Sequence, residues 1–244
     1  MNFVLICNMK GFEHMDKNFK IDTHIHTAES SECGVLSAQE IVTRYHAAGY
    51  DGIAITDHLH DEYILSLDCK DDWNACVDRF LRGYKNAKKF GDEIGLEVIL
   101  GAEIRFAINS SDYLIYGFDE EFLRRNPYLY RLTPWEFFKK FGDEIIIIQA
   151  HPFRNGNETV FLECIHGIEV FNGNPRHNNR NEKALAFYKS NPTLYPFCGS
   201  DTHQDKDECR THVLFKNHIS SSRMFCTEVR KNNYSLCSFE INVK

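Results

Sequence analysis

The sequence predicts an α/β fold in which a mainly parallel sheet is covered by helices. Two observations predict it: seven short apolar runs rich in β-branched and aromatic residues, and longer runs of helical period between most of them. Phe19–Thr23 reads as the first strand. Ser37–Ala48 reads as a helix, with Ser37 as N-cap, Glu40 completing a capping box and Gly49 at the stop. Gly52–Thr56 is the second strand, Asp72–Phe90 a helix ended by Gly91, and Glu97–Gly101 and Tyr113–Gly117 the third and fourth strands. About six residues around Asn109-Ser110-Ser111 link those last two. A parallel crossover needs roughly a dozen, so a hairpin or a broken strand is expected there. Thr133-Pro134 opens a short helix to Phe141 with Pro at its first position. Glu144–Gln149, Gly167–Phe171 and Tyr195–Gly199 complete the strands, and Asn178–Ser190 is a helix stopped by Pro192. Periodicity weakens beyond about residue 205, so 205–244 is expected to wrap the outside of one domain spanning 15–244. Residues 1–14, ahead of Met15, read as a loose extension or an upstream start.

Of the 244 residues, 43% are hydrophobic and 26% charged, which suits a folded globular chain. No apolar stretch approaches the ~20 residues of a membrane span. A net charge of −7 and a pI near 5.9 argue against an extended nucleic-acid partner, because such partners are gripped by basic surfaces. Nine cysteines form no CxxC pair, so neither a zinc ribbon nor a thioredoxin-like motif is present. The five-residue apolar run in MNFVLIC is shorter than a secretory core. Reduced thiols in the cytoplasm are therefore the expectation.

The chemistry lies at the strand ends. The first strand runs into Asp22-Thr23-His24-Ile25-His26, where alternate residues of an extended chain share a side and can chelate one ion. The second strand ends in Asp57-His58, the third in Glu103, the fifth in His151 and the seventh in Asp201-Thr202-His203. Parallel α/β folds gather their strand C-termini on one face, where active sites sit. His24, His26, His58, Glu103, His151, Asp201 and His203 should therefore converge into a metal site. Imidazole and carboxylate together suit Zn, Mn or Fe.

The segments DTHIHT, ITDH, GAE, AHP and GSDTH, in this order, resemble the PHP (polymerase and histidinol phosphatase) family of metal-dependent phosphoesterases over roughly residues 19–204. The resemblance implies a distorted seven-stranded βα, TIM-like barrel holding two or three Zn, Mn or Fe ions. It implies that His24, His26 and Asp201 hold the first ion and that Glu103 bridges to a second held by His151. His58 and His203 would hold the third. Members often add a third-ion ligand shortly after HxHT; here Glu32 is the candidate, with Cys33 the alternative. Some place a His after the fourth strand, where this chain has Asp119, read here as an ordinary turn acid. Asp57 is expected to orient an imidazole.

The expected activity is hydrolysis of a small phosphate monoester, such as a nucleotide, a sugar phosphate or histidinol phosphate, by a metal-activated hydroxide. Asp201 and His203 are the expected catalytic groups, with His203 or another cluster histidine protonating the leaving alkoxide. Arg154, three residues past His151, would grip the phosphate. Arg105, Asn172 and Arg176 are weaker candidates, and His60 lies near enough to touch substrate. The segments 59–72 and 120–133, rich in Tyr, Leu and Asp, are expected to overhang the site. The alternatives are an amide or lactone hydrolase using the same ions, and a non-catalytic metal-binding regulatory domain.

Overall fold

The computed structural model describes residues 18–69, 71–108, 110–157 and 160–238. The expected extension at 1–14 and the last residues of the outer segment lie outside these. β1 (Phe19–Asp22) leads into α1 (Ala38–Ala47), and the capping box forms as expected, with Glu40 N–H donating to Ser37 Oγ and Ser37 N–H to Glu40 Oε2. β2 (Gly52–Ile55) is followed by a two-residue strand, β3 (His58–Leu59), and by α2 (Asp61–Ser66). The single helix expected over Asp72–Phe90 is two, α3 (Trp73–Phe80) and α4 (Arg82–Ile94), broken at the buried Leu81. Gly91 does not stop it. A Cβ there would stand 2.5 Å from the carbonyl oxygen of Leu96, so Gly91 permits a close approach of the next segment, and Gly95 at φ 82° is the left-handed cap.

β4 (Glu97–Arg105) runs four residues beyond its expected end, and β5 (Asp112–Tyr116) turns back against it, Gly101 opposite Tyr116. This is the expected hairpin. After α5 (Glu120–Arg125), α6 (Pro134–Phe141) carries a capping box between Thr133 and Glu136. β6 (Ile146–Gln149), β7 (Gly167–Asn172), α7 (Asn181–Ser190) and β8 (Tyr195–Gly199) complete the expected series. The chain then adds β9 (Thr211–Phe215), α8 (Ser222–Arg230) and β10 (Tyr234–Ser238).

The strands form one sheet in the order β10-β9-β1-β2-β4-β5-β6-β7-β8, with β3 beside β4. Pairings β1/β2, β2/β4, β6/β7 and β7/β8 are parallel; β5 is antiparallel to both neighbours. Just past β1 and β8, Ile25 and Thr202 make a parallel bridge, with His26 N–H donating to Thr202 O at 2.9 Å. The first and last strands of the expected seven thus meet at their C-terminal ends, and the barrel nearly closes. β9 pairs with β1. Residues 211–230 therefore do more than wrap the outside: Val213, Phe215, Phe225 and Val229 are fully buried against Tyr116 and Phe197.

The four isoleucines 145–148 show how the walls are packed. Ile146 and Ile148 join Ile21, Ala54, Ile99 and Leu114 inside the barrel, whereas Ile145 and Ile147 face the helical layer with Val77, Phe137 and Ile168. No helix among the described residues is long and apolar enough to cross a membrane.

Candidate metal centre

The chain beyond β1 is anchored by Ile25, whose N–H donates to Thr56 Oγ1 at 3.0 Å and whose carbonyl accepts from Thr56 N at 2.8 Å. The flanking imidazoles are thereby turned the same way, and the Nε2 atoms of His24 and His26 lie 3.1 Å apart. Glu103 Oε2 stands 3.4 Å from the first and 3.2 Å from the second; Asp201 Oδ1 stands 3.4 and 3.5 Å away. The long β4 carries Glu103 to this height, and β3 sets His58 opposite it, Nδ1 to Oε2 at 3.1 Å. His151 Nε2 reaches Glu103 Oε1 at 2.9 Å. His203 completes a third grouping with His26 and His58. His24, His26, Glu103 and Asp201 are at most 1% exposed.

Two of these positions are held in unusual backbone. His151 has φ 28° and Asp201 φ 54°, left-handed values that non-glycine residues adopt only when the surroundings impose them. Here the surroundings are polar. Glu169, buried in β7, accepts from His24 Nδ1 at 2.9 Å through one oxygen and from His151 N–H at 2.8 Å and Asn172 Nδ2 at 3.0 Å through the other. Asp57 accepts from Thr27 N, Thr27 Oγ1 and Ser31 Oγ, which ties down the loop beside His26. Asp22 accepts from His24 N, Ser200 N and Tyr45 Oη; burial, partly offset by these bonds, pushes its carboxyl up to about 6.

The charges select for cations. Burial opposes charge on Glu103, yet His24, His58 and the His151 hydrogen bond outweigh it and hold the carboxyl well below its usual range. Asp201 is likewise held low despite burial, by His24, His26, Arg154 and His203. Burial lowers His24, but Glu169, Asp201 and Glu103 raise it well above an ordinary imidazole. His203 moves the other way, to about 3, through burial and the neighbouring His26. With Nδ1–H committed to Glu169, His24 turns Nε2 toward carboxylate oxygens and His26. Acceptors so opposed need a positive charge between them, either a second proton on the ring or a metal ion in its place. The donor set of imidazoles and carboxylates fits Zn, Mn or Fe(II), and His58 Nδ1, although 3.1 Å from Glu103 Oε2, is not aligned for a hydrogen bond with it.

All seven strand-end residues converge. Glu32 does not: it is exposed and accepts from Ser66 Oγ at 2.8 Å. Ser31 takes the inward place, donating to Asp57, and turns the next side chain outward. Cys33 is exposed but its thiol lies beside His58. Asp119 caps α5 and pairs with Arg223, away from the cluster. His60 caps α2, accepting from Tyr63 N. Arg154 lies at the cluster, bonded to Asp201, to Asn172 Oδ1 at 3.0 Å and to Asn179 Oδ1 at 2.8 Å. Arg176 pairs with Asp207 instead. Tyr63, Tyr128 and Tyr130 pack around Trp73, Phe80 and their neighbours in the helical layer.

Two site residues escaped the sequence. Asp112 groups with Glu103 and His151, its Oδ2 4.0 Å from His151 Nε2. The short link before β5 was its signal: an antiparallel strand presents its start to the site. Glu169 was an acid inside an otherwise apolar strand.

A family model described as the PHP domain matches residues 22–224. Among solved structures, a two-domain protein from Bacteroides vulgatus, described as containing a predicted PHP-like metal-dependent phosphoesterase, superposes with a TM-score of 0.65 at 20% identity. The alignment covers 91% of this chain and 65% of that one, so this chain spans about two thirds of its length. PsfC from Pseudomonas syringae gives 0.59 at 15% identity, covering 92% and 93% of the two chains. An amidohydrolase from Chromobacterium violaceum, solved with sulfate and no metal, gives 0.51 at 14%, covering 89% and 97%. No curated protein matches. These identities speak for the fold alone, whereas the family model spans most of the sequence and every strand-end ligand: the chain belongs to the PHP domain family.

Proposed function

We propose that the protein is a metal-dependent phosphoesterase acting on a small phosphate monoester. The observation that carries this is Arg154, a guanidinium held against Asp201 at the edge of a cluster built to hold cations. His24, His26, Glu103 and Asp201 would hold one ion, and Glu103, His151 and Asp112 a second. His26, His58 and His203 offer a third place. Ions bound there supply Lewis-acid charge for phosphoryl oxygens and lower the pKa of water. Glu169 keeps the His24 proton on Nδ1, leaving Nε2 for the ion. Arg154 orients the non-bridging oxygens.

His203 is better suited to holding an ion than to protonating a leaving group. Its depressed pKa keeps the imidazole neutral at pH 7, the form that ligates. An amide or lactone hydrolase would use the same carboxylates and imidazoles; Arg154 favours the phosphoester. A non-catalytic scaffold would not need so complete a set. The eight described cysteines are free thiols, which suits a reducing compartment such as the cytoplasm.

The test is elemental analysis of protein purified without chelator, followed by assays on a panel of phosphate monoesters, amides and lactones with added Mn²⁺. Two or three ions per chain with phosphate release are expected, with fewer ions and no phosphate release in His24→Ala. Bound metal with hydrolysis only of amides or lactones would refute the phosphoesterase.

A further inference from the structure

Beside His151 the barrel mouth opens into a cavity of about 480 Å³, room enough for a small organic phosphate. Ligand pockets are mostly lined by apolar and aromatic side chains. This one is not. Apart from Ala150 and Gly156, its described wall is made of arginines, serines, asparagines and Asp112, and its only rings are the imidazoles of His151 and His177. Asn109, Glu158 and Thr159, which neighbour that wall in sequence, add no aromatic residue.

Two arginines in the wall share one arrangement. Arg105 donates from Nε at 2.7 Å and from Nη2 at 3.0 Å to the two oxygens of Asp112. Arg154 donates from Nε to Asn179 and from Nη2 to Asn172 and Asp201. In both, the protein fixes the Nε–Nη2 side, and among the described residues nothing accepts from Nη1. A guanidinium already locked on one side loses little freedom when it binds an oxyanion through its remaining N–H groups. His151 groups with Asp201 and with Asp112, so it lies between the two arginines' anchors.

Resting on the phosphoesterase proposal, we infer that the substrate is a compact, hydroxylated phosphate monoester bearing a second oxyanion, either a carboxylate or a second phosphate. Arg154 takes the phosphoryl group beside the ion ligands, and Arg105 takes the second oxyanion. Ser110 and Asn155 meet the hydroxyls. A nucleotide fits this wall poorly, because a base is normally held by stacking on an aromatic face. An aminoalkyl phosphate would bring its ammonium toward Arg105 and be repelled.

The test uses the metal-loaded protein and probes that differ in one group. Values of kcat/KM are measured for 3-phosphoglycerate, glycerol 3-phosphate and AMP, and calorimetry compares 2-phosphoglycolate with methyl phosphate. A preference of about tenfold or more for the carboxylate is expected in each pair, with AMP at least about tenfold below 3-phosphoglycerate. Arg105→Gln should shrink the carboxylate preference to within about threefold at unchanged metal content, which separates a ligand contact from an effect through Asp112. AMP as the better substrate, or a preference that Arg105→Gln leaves in place, overturns the inference and leaves the phosphoesterase standing. If no phosphoester is hydrolysed by the loaded protein, the phosphoesterase proposal itself falls.

Discussion

Glu169→Gln removes one charge from a fully buried carboxylate and keeps its shape. Glu169 is surrounded by donors: His24 Nδ1 at 2.9 Å on one oxygen, His151 N–H at 2.8 Å and Asn172 Nδ2 at 3.0 Å on the other. A glutamine must put its NH₂ on one of those sides. Facing His151 and Asn172, it meets two N–H groups and leaves the His151 backbone, already at φ 28°, without its anchor. Facing His24, it forces the ring to accept at Nδ1 and carry its proton on Nε2, where the ion would bind. Either way a charge-assisted hydrogen bond worth roughly 1.5–3 kcal/mol is lost. Partners that orient metal-bound histidines typically contribute about 10- to 100-fold in metal affinity. Chelator-competition titration with Zn²⁺ should therefore show binding weaker by at least about tenfold, with the exposed Glu163→Gln as control. Affinity within about twofold of the unaltered protein would refute the tautomer argument.

Gly83→Ala should destabilise the fold by about 1–3 kcal/mol in urea denaturation, since the new Cβ would lie 1.9 Å from Thr27 Oγ1 and 2.7 Å from Asp57 Oδ2. Phe225→Ala should lower stability by about 3–5 kcal/mol by the same measurement, because the ring is fully buried against Tyr116, Phe197 and Phe215; a loss under ~1 kcal/mol would mean that the segment after β8 only drapes the barrel. Burial, with Arg230 beside His166 and Lys20 beside His212, lowers both imidazoles from 6.5 to about 4. The unfolded chain then binds more protons between those values, so stability should fall as pH drops from 6.5 toward 4. Partial exposure limits this to roughly 1 kcal/mol for each at pH 5, measured as a fall in Tm that the double substitution His166→Gln, His212→Gln reduces.

The barrel was legible because its seven main strands are short, apolar and bounded by turns, and because each ligand follows a strand directly. The remainder failed for identifiable reasons. β3 has two residues, too few for any periodicity, yet its pairing with β4 is what lifts His58 to Glu103. β9 does alternate, with Thr211, Val213 and Phe215 turned inward, but it and β10 are five residues each within a stretch rich in Ser, Asn and Lys, and nothing local marks their pairing with β1 and with each other. Asp119 and Asp112 follow from the direction of one strand: β5 runs backwards, so its end points away from the cluster and its start toward it. Glu32 was placed by spacing, but the adjacent Ser31 occupies the inward position through its bond to Asp57.

The most direct test of the account is anomalous diffraction from crystals grown with Mn²⁺ and measured at the manganese edge. The account predicts one peak among His24, His26, Glu103 and Asp201 and a second beside Asp112 and His151. Crystals with Mn²⁺ in solution and no anomalous density in that cluster would contradict it.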